Sequence, residues 1–432
     1  MSYPLWLVTF LLYQLAFPLA AIFVFVKFIL EDRASKLWEK PSQIRQRLGL
    51  VDYFRANNSR ILWVHAASVG EVNAAAPLLK ALKFKDPSLR IVLTASTAAG
   101  RERAETSGAV DRALLAPIDF YPSVRAFIRR MRPSDFLIVE TELWPAALFA
   151  ARLHGIGISI ANGRMTERSF RRYRLARFFF RPLLETIQRA AVQTQADAQR
   201  LITLGARPSA VQVTGNLKYD VPLPEETAVS WARRQMRQLG WEGTLLWTAG
   251  STRPGEEMVI AEAFLKLRAA YPGLRLILAP RHTERSRAAA AVLAQHGISF
   301  ARLSANPPPS PNPDCLLVDE TGRLAALYGV SDVAFVGGTL VPVGGHNLLE
   351  PAAASKPVLF GPFTASVDLE AQTLLSSGGG FRVRTAFDLS QTLERLFADP
   401  HFRKDAGRKA RQAAVGLGGA VGRTLECLKL VC

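Results

Sequence analysis

The sequence predicts an α/β protein of two similar halves, each built on a parallel sheet, and three observations carry that expectation. Short apolar runs rich in strand formers alternate with helical stretches, first from about residue 60 and again after residue 224. A Pro-containing segment without helical period, TGNLKYDVPLP at 214–224, separates the two series. The chain has 432 residues, 49 % of them apolar, which suits two or three domains with real cores and is too much for a disordered polycation. Ligands of open parallel sheets bind beyond the C-terminal strand ends, so two such halves predict a nucleotide-binding cleft between them.

In the first half RILWVHAA (60–67) reads as a strand and SVGEVNAAAPLLKAL (68–82) as the helix after it, with Ser68 and Gly70 near its start. RIVLTAS (90–96), ALLAPI (113–118), DFLIVE (135–140) and GISIAN (157–162) read as further strands, and TAAGRERAETS (97–107) follows the second strand. In the second half TLLWTAGS (244–251), LRLILAP (274–280), CLLVD (315–319), VAFVGG (333–338) and PVLFGP (357–362) are the strands. NPPPSPNP (306–313) is a proline-rich loop inside that half. The expected division is a membrane-associated segment at 1–30, a first domain at 31–213, a linker at 214–224 and a second domain at 225–432.

Lys and Arg total 54 against 36 Asp and Glu, a formal charge of +18. Such a charge implies an anionic partner: nucleic acid, an acidic membrane face or phosphorylated substrates. The three cysteines, Cys315, Cys427 and Cys432, lack metal-ligand spacing. That excludes a disulfide scaffold and a Cys-based zinc site and fits a reducing compartment. Residues 2–26 carry no ionisable side chain apart from tyrosine, a run long enough for the ~20 apolar residues that cross a bilayer. It lacks the basic n-region and cleavage site of a secretory signal. Pro4, Gln14 and Pro18 weaken it as a straight helix, so spanning and lying in one leaflet both stay open, beside an apolar core helix. Lys27, Arg33, Lys36, Lys40, Arg45 and Arg47 follow, and the positive-inside rule keeps them and the rest of the chain cytoplasmic.

The densest motif is VAFVGGTLVPVGGHNLLEPAAASKPVLFGP (333–362). Its glycine pairs, Gly337–Gly338 and Gly344–Gly345, let backbone approach a phosphate, and a helix start after His346 and Asn347 offers free N–H groups. Glu350 is placed to accept from ribose hydroxyls; the plain alternative is turns and a dipole-complementing carboxylate. GSTRPGEE (250–257) offers Ser251 and Thr252 as phosphate donors and Arg253 as charge, with Glu256 and Glu257 read as helix-start carboxylates. Arg281 and His282 end another strand, as an anion contact or a solvated loop. In the first half HAASVGEVNAA (65–75) is a phosphate cradle or a tight turn. Glu140 and Glu142 in IVETELWP point the same way on an extended chain, to bind sugar hydroxyls, act as a base or complement a helix start. NGRMTERSFRRYRLARFFFRPL (162–183) interleaves arginines with aromatic residues, as a helix at an anionic bilayer would. Stacking on single-stranded nucleic acid and an ordinary solvated basic face are the alternatives, and the apolar N-terminus favours the membrane over nucleic acid.

The ordered set HAASVGEV, ETELWP, NGRMTERS, TGNLKYD, GSTRPGEE, APRHTER and GGTLVPVGGHNLLEPAA resembles the Kdo (3-deoxy-D-manno-octulosonic acid) transferases of Gram-negative lipopolysaccharide assembly, over nearly the whole chain. The resemblance implies a GT-B glycosyltransferase of two Rossmann-like domains. CMP-Kdo would bind the C-terminal half and a lipid A precursor the N-terminal half, at the cytoplasmic face of the inner membrane. It implies inverting transfer of Kdo or a close sugar acid, with no metal or other cofactor and no nucleic-acid partner. The donor set would be Ser251, Arg281, His282, Gly338, Gly345, Asn347 and Glu350, with Glu142 and Lys218 orienting the reactants. Ser68, Gly70, Glu71, Arg164, Arg171 and Arg172 would serve acceptor and membrane. One departure stands out: Gln46, in QIRQRLGL (43–50), replaces the glutamate to which the family's proton abstraction is ascribed. An amide takes no proton at neutral pH, and losing a general base typically forfeits ~10²–10⁴ in rate. Either another carboxylate such as Glu39, Glu71 or Glu142 serves, or the chain is a divergent paralogue, or it binds without turnover. Arg253-Pro254, in place of a His-containing turn, is a second, smaller departure.

Overall fold

The computed structural model describes residues 6–16, 41–54, 59–220, 225–305 and 312–429. They divide into two compact units, Met1–Asp220 with Gly418–Cys432, and Val221–Leu417. The last segment thus corrects the expected second domain, because it folds with the first unit. Helix Ala420–Leu428 sets Ala420 and Leu428 into that unit's core, and Asp220 caps it through the Ala420 and Val421 amides.

The first unit is a seven-stranded parallel sheet in the order β3-β2-β1-β4-β5-β6-β7. Its strands are β1 Ile61–His65, β2 Arg90–Ala95, β3 Arg112–Leu115, β4 Asp135–Val139, β5 Gly157–Gly163, β6 Ile187–Val192 and β7 Val211–Val213. β1 and β5 are buried along their whole length, as a sheet covered by helices on both faces requires. Sequence order reverses between β1 and β4, the switch point of a doubly wound fold. The expected helix at 68–82 forms as Val69–Lys85, started by a capping box in which Ser68 accepts from the Glu71 amide.

The second unit repeats the design in the order β10-β11-β9-β8-β12-β13-β14, all parallel. Its strands are β8 Leu246–Thr252, β9 Arg275–Pro280, β10 Phe300–Arg302, β11 Cys315–Leu317, β12 Val333–Val336, β13 Val358–Phe360 and β14 Gly380–Arg382. Its switch point falls between β8 and β12. Four strands escaped the sequence reading: β6, β7, β10 and β14. The last three are sheet edges of three residues each, carrying Gln212, Arg302 and Arg382, so no apolar run marks them.

Residues 6–16 are helical, and their aromatic face belongs to the first unit's core. Trp6 Nε1 donates to the Phe179 carbonyl at 2.8 Å, and Phe10 packs on Phe149. Tyr13 donates to the buried Asp119 at 2.7 Å, and Gln14 accepts from the Tyr121 amide. The other face exposes Val8, Leu11, Leu12 and Leu15. No helix among the described residues is long and apolar enough to cross a membrane, and the rest of the apolar run, 17–26, lies outside them. The single basic helix expected over 162–183 is two helices, Glu167–Leu175 and Arg177–Leu184, broken at Ala176. Arg168, Arg171, Arg172, Arg174, Arg177 and Arg181 are exposed, while Phe179, Leu183 and Leu184 are buried.

Candidate functional site

In the second unit the loops after β8 and β12 meet at the switch point, and Glu256 joins them. Gly255, at φ +92°, starts helix Glu256–Ala270 and turns the fully buried Glu256 carboxylate onto the glycine loop. One oxygen accepts from the amides of Arg253 (2.8 Å) and Gly338 (2.7 Å), the other from Thr339 (3.0 Å) and Leu340 (2.9 Å). Glu256 is therefore the brace of the loop rather than a plain helix-start carboxylate, and nothing in the sequence distinguishes it from Glu257. The brace corrects the roles expected of Gly338 and Gly345. The Gly338 amide is spent on Glu256 and the Gly345 amide on the Gly338 carbonyl at 2.8 Å, so neither is free for a phosphate. What Gly338 supplies is space: at φ +71°, a Cβ there would sit 2.8 Å from the His346 ring.

That ring belongs to a cationic cluster. Arg253 Nε donates to His346 Nε2 at 3.1 Å, and its Nη1 lies 3.1 Å from His282 Nε2. A guanidinium only donates, so His346 Nε2 is an acceptor and the His346 ring carries its proton on Nδ1. Burial, then Arg253, Arg281 and His282, depress His346 to about 4, which keeps it neutral. Arg281 is exposed beside it, its amide donating to the Thr252 carbonyl. Glu350 is pushed up by burial, opposed by the Asn347 amide hydrogen bond at 3.3 Å and the Arg281 charge. Asn347 Oδ1 accepts from the Leu349 amide at 2.9 Å, and helix Leu349–Ala353 is one short turn, so its dipole adds little. Ser251 sits at φ +57°, an uncommon backbone for a residue with a side chain, at the end of β8. The structure thus gathers Arg253, Arg281, His282 and His346 in one cluster, with Glu350 held by Asn347 within the field of Arg281.

In the first unit three carboxylates gather beyond β1 and β4. Glu71 is tied down by the Ala67 amide at 2.7 Å and the Ser68 hydroxyl at 3.1 Å, so Ser68 and Glu71 spend their polar atoms on the helix start. Burial raises Glu71, and the charges of Glu140 and Glu142 add to that. Burial also raises Glu142, against an indole hydrogen bond from Trp144 and with repulsion from Glu140. Glu140, at φ +61°, pairs with Lys218 at 3.3 Å. Lys218 rides on the turn Leu217–Tyr219, pinned where the Leu217 amide donates to the buried Asn162 Oδ1 at 2.9 Å. Positive φ at Glu140 and Asn162 marks the kind of local strain that recurs at functional sites.

The other residues expected in this half are held in different ways. Gln46 Oε1 accepts from the Leu115 amide at 2.8 Å, at the end of β3. Gly70 is exposed on the first turn after Ser68. Arg164 is exposed and joined to Thr141 through its backbone, while Arg171 pairs with Glu167 at 3.1 Å on the outer helix. Arg172 is exposed. Glu39 lies outside the described residues.

Comparison with known proteins matches this arrangement. Residues 42–221 fit the family described as 3-deoxy-D-manno-octulosonic-acid transferase (kdotransferase). A 3-deoxy-D-manno-octulosonic acid transferase of Haemophilus influenzae is 35 % identical, covering 90 % of this chain and 92 % of that one. One from Bordetella pertussis is 36 % identical over 85 % of this chain and 86 % of its own length. In structure, a glycosyltransferase from Rickettsia africae covers 87 % of this chain and all of that one, at TM-score 0.55 and 13 % identity. A UDP-GlcNAc 2-epimerase from Neisseria meningitidis matches at TM-score 0.55 and 15 % identity, covering 86 % of this chain and 99 % of that one. The last two likenesses establish the two-domain GT-B type of fold. With both sheets, their switch-point loops and near full-length similarity in agreement, the chain belongs to the 3-deoxy-D-manno-octulosonic acid transferase family of glycosyltransferases.

Proposed function

We propose that this transferase moves Kdo, or a close sugar acid, from CMP to a hydroxyl of a phosphorylated lipid A precursor, with inversion. The observation that carries the donor half is the Arg253–His346–His282 cluster with Arg281, set on the loop that Glu256 braces. A CMP-sugar acid brings a phosphodiester and a carboxylate, and rigid cations at a strand end suit both. As the acceptor oxygen bonds to the anomeric carbon, the bond from that carbon to the CMP phosphate breaks, and Arg253 and Arg281 meet the growing phosphate charge. Glu350, held by Asn347, suits the ribose hydroxyls.

On the acceptor side the proton must leave the hydroxyl. Gln46 is an amide, so that proton goes to Glu142, which burial makes a stronger base than an exposed carboxylate. Lys218, paired with Glu140, orients an acceptor anion. The exposed aliphatic face of residues 6–16 and the exposed arginines of 164–181 support docking at the cytoplasmic face of the inner membrane. No metal or other cofactor is part of the proposed reaction.

Purified full-length protein given CMP-Kdo and tetra-acylated lipid A precursor should release CMP and yield the glycosylated lipid. No release, beside an active relative in the same assay, sinks the activity. Gln46 favours one second reading: a binder that retains CMP or lipid without turnover. It would give saturable CMP binding and no product.

A further inference from the structure

The first unit holds a cavity of about 400 Å³ that the donor and carboxylate clusters do not use. Its apolar walls include Trp63, Ala116, Val124, Phe136, Trp144 and Ala147, and the polar residues on it are His65, Arg47, Ser96 and Asp119. His65 ends β1 and is 3 % exposed. Its tautomer follows from its neighbours. Thr94 has one hydroxyl proton, donated to the Val64 carbonyl at 3.3 Å, and its oxygen already accepts from Trp63 Nε1 at 2.9 Å. The 3.1 Å contact with His65 Nδ1 is then a bond donated by the ring. Nε2 is left as a bare acceptor, buried and without a partner among the described residues. Burial and the Arg47 charge depress His65 to about 4, so the ring stays neutral and Nε2 stays an acceptor.

Arg47 is anchored to the carbonyls of Ala116 and Ser96, and no carboxylate pairs with it among the described residues. Asp119, also on the wall, spends its oxygens on Tyr13, Ala146 and Ala147. The cavity thus asks for a hydrocarbon body, one hydroxyl or N–H donor, and an anionic or carbonyl group near that donor. A sugar ring, with hydroxyls all round, would leave most of them unpaired against these walls.

We propose that this cavity binds an acyl chain of the lipid acceptor, with a hydroxyl near the chain's polar end donating to His65 Nε2 and Arg47 facing that end. This rests on the lipid-acceptor reading above and deepens it. The chain would anchor the acceptor beside the Glu142 cluster, since Trp144 lines the cavity and bonds Glu142.

The test uses full-length protein and a photoreactive tetradecanoate with a terminal diazirine, mapped by peptide mass spectrometry. Labelling should fall on the peptides bearing Val124 and Trp144, and unlabelled lipid acceptor should compete for it. 3-Hydroxytetradecanoate should compete about tenfold better than tetradecanoate, and His65→Phe should erase that preference. Ala147→Leu and Ala116→Leu, which fill the cavity from different walls, should each abolish the label. Labelling elsewhere in the wild type, equal competition by the two fatty acids, or competition by phospholipid vesicles but not by the acceptor would overturn the proposal. CMP release is followed in parallel. Transfer without cavity labelling removes only the acyl site, while labelling without transfer removes the transferase reading and leaves the cavity a lipid site.

Discussion

Glu256 Oε2 accepts a 2.7 Å hydrogen bond from the amide of Gly338, across 82 residues of chain. Each of its two oxygens serves two amides, so glutamine is not a conservative replacement here. One side of the substituted carboxamide would keep its acceptor, while the NH₂ would face two N–H donors. Glu256→Ala is expected to cost on the order of 3 kcal/mol or more, from several orphaned buried amides. Glu256→Gln should lose at least half as much. Both should weaken CMP binding more than tenfold, because the loop beneath His346 is no longer held. Urea unfolding and CMP titration calorimetry check this; wild-type CMP affinity in Glu256→Ala would show that the brace does not shape the site.

His65 sets an acid limit. Its folded pKa, about 4, lies below the ordinary 6.5 of an exposed ring. Between those values the unfolded chain takes up a proton that the native one refuses, so the stability that His65 contributes is fully present above pH 6.5 and is lost as pH drops toward 4. For this fully buried ring the loss approaches about 3 kcal/mol. Other groups titrate in the same window, and comparison with His65→Phe cancels them. Urea midpoints at pH 7 and pH 4.5 should fall further for the wild type than for the variant; parallel shifts would mean that His65 is protonated in the native state.

Strands buried on both faces announce themselves as apolar runs, and β1, β2, β4 and β9 stand close to where the sequence puts them. The switch-point positions of Glu140, Glu142, Ser251 and the glycine loop follow from that pattern alone. Two kinds of feature do not. Edge strands such as β10 and β14 are too short and polar to show a period. Long-range polar contacts have no local signature either. The sequence shows glycines with free amides and says nothing of a carboxylate from 82 residues away that occupies them. The bare Nε2 of His65 likewise depends on Thr94, on the next strand.

The two faces of residues 6–16 should respond oppositely to mutation. Trp6 is buried among Phe10, Phe149 and Phe179, so Trp6→Ala should cost about 3–5 kcal/mol of stability. Leu11, Leu12 and Leu15 are exposed, and Leu12→Asp with Leu15→Asp should leave the unfolding midpoint almost unchanged. The same double variant should bind anionic vesicles much more weakly in a sedimentation assay. Undiminished binding would assign membrane contact to another part of the chain.

Lys218 and Glu140 form a half-exposed pair, worth about 0–1 kcal/mol at most. Lys218→Ala should therefore leave folding intact. If the ammonium orients an acceptor anion, kcat/KM for the lipid should drop by about tenfold or more, with CMP affinity unchanged and Lys218→Arg partly restoring the rate. A loss of CMP affinity instead would place Lys218 on the donor's side of the reaction.

Gln46 offers the most direct reading of catalysis. Its Oε1 already accepts from the Leu115 amide, a bond that a carboxylate keeps with one oxygen while freeing the other. Gln46→Glu should thus fold as the wild type does. A base added at a position that lines the reacting hydroxyl is expected to raise turnover by about 10²-fold. The pH–rate profile of the variant should then gain a limb set by the new carboxylate, while Glu142→Gln, expected to disable the wild type, should become tolerable in the Gln46→Glu background. If Gln46→Glu leaves both rate and profile unchanged and Glu142→Gln remains inactive beside it, the proton leaves through Glu142 alone, and position 46 serves only to hold the end of β3.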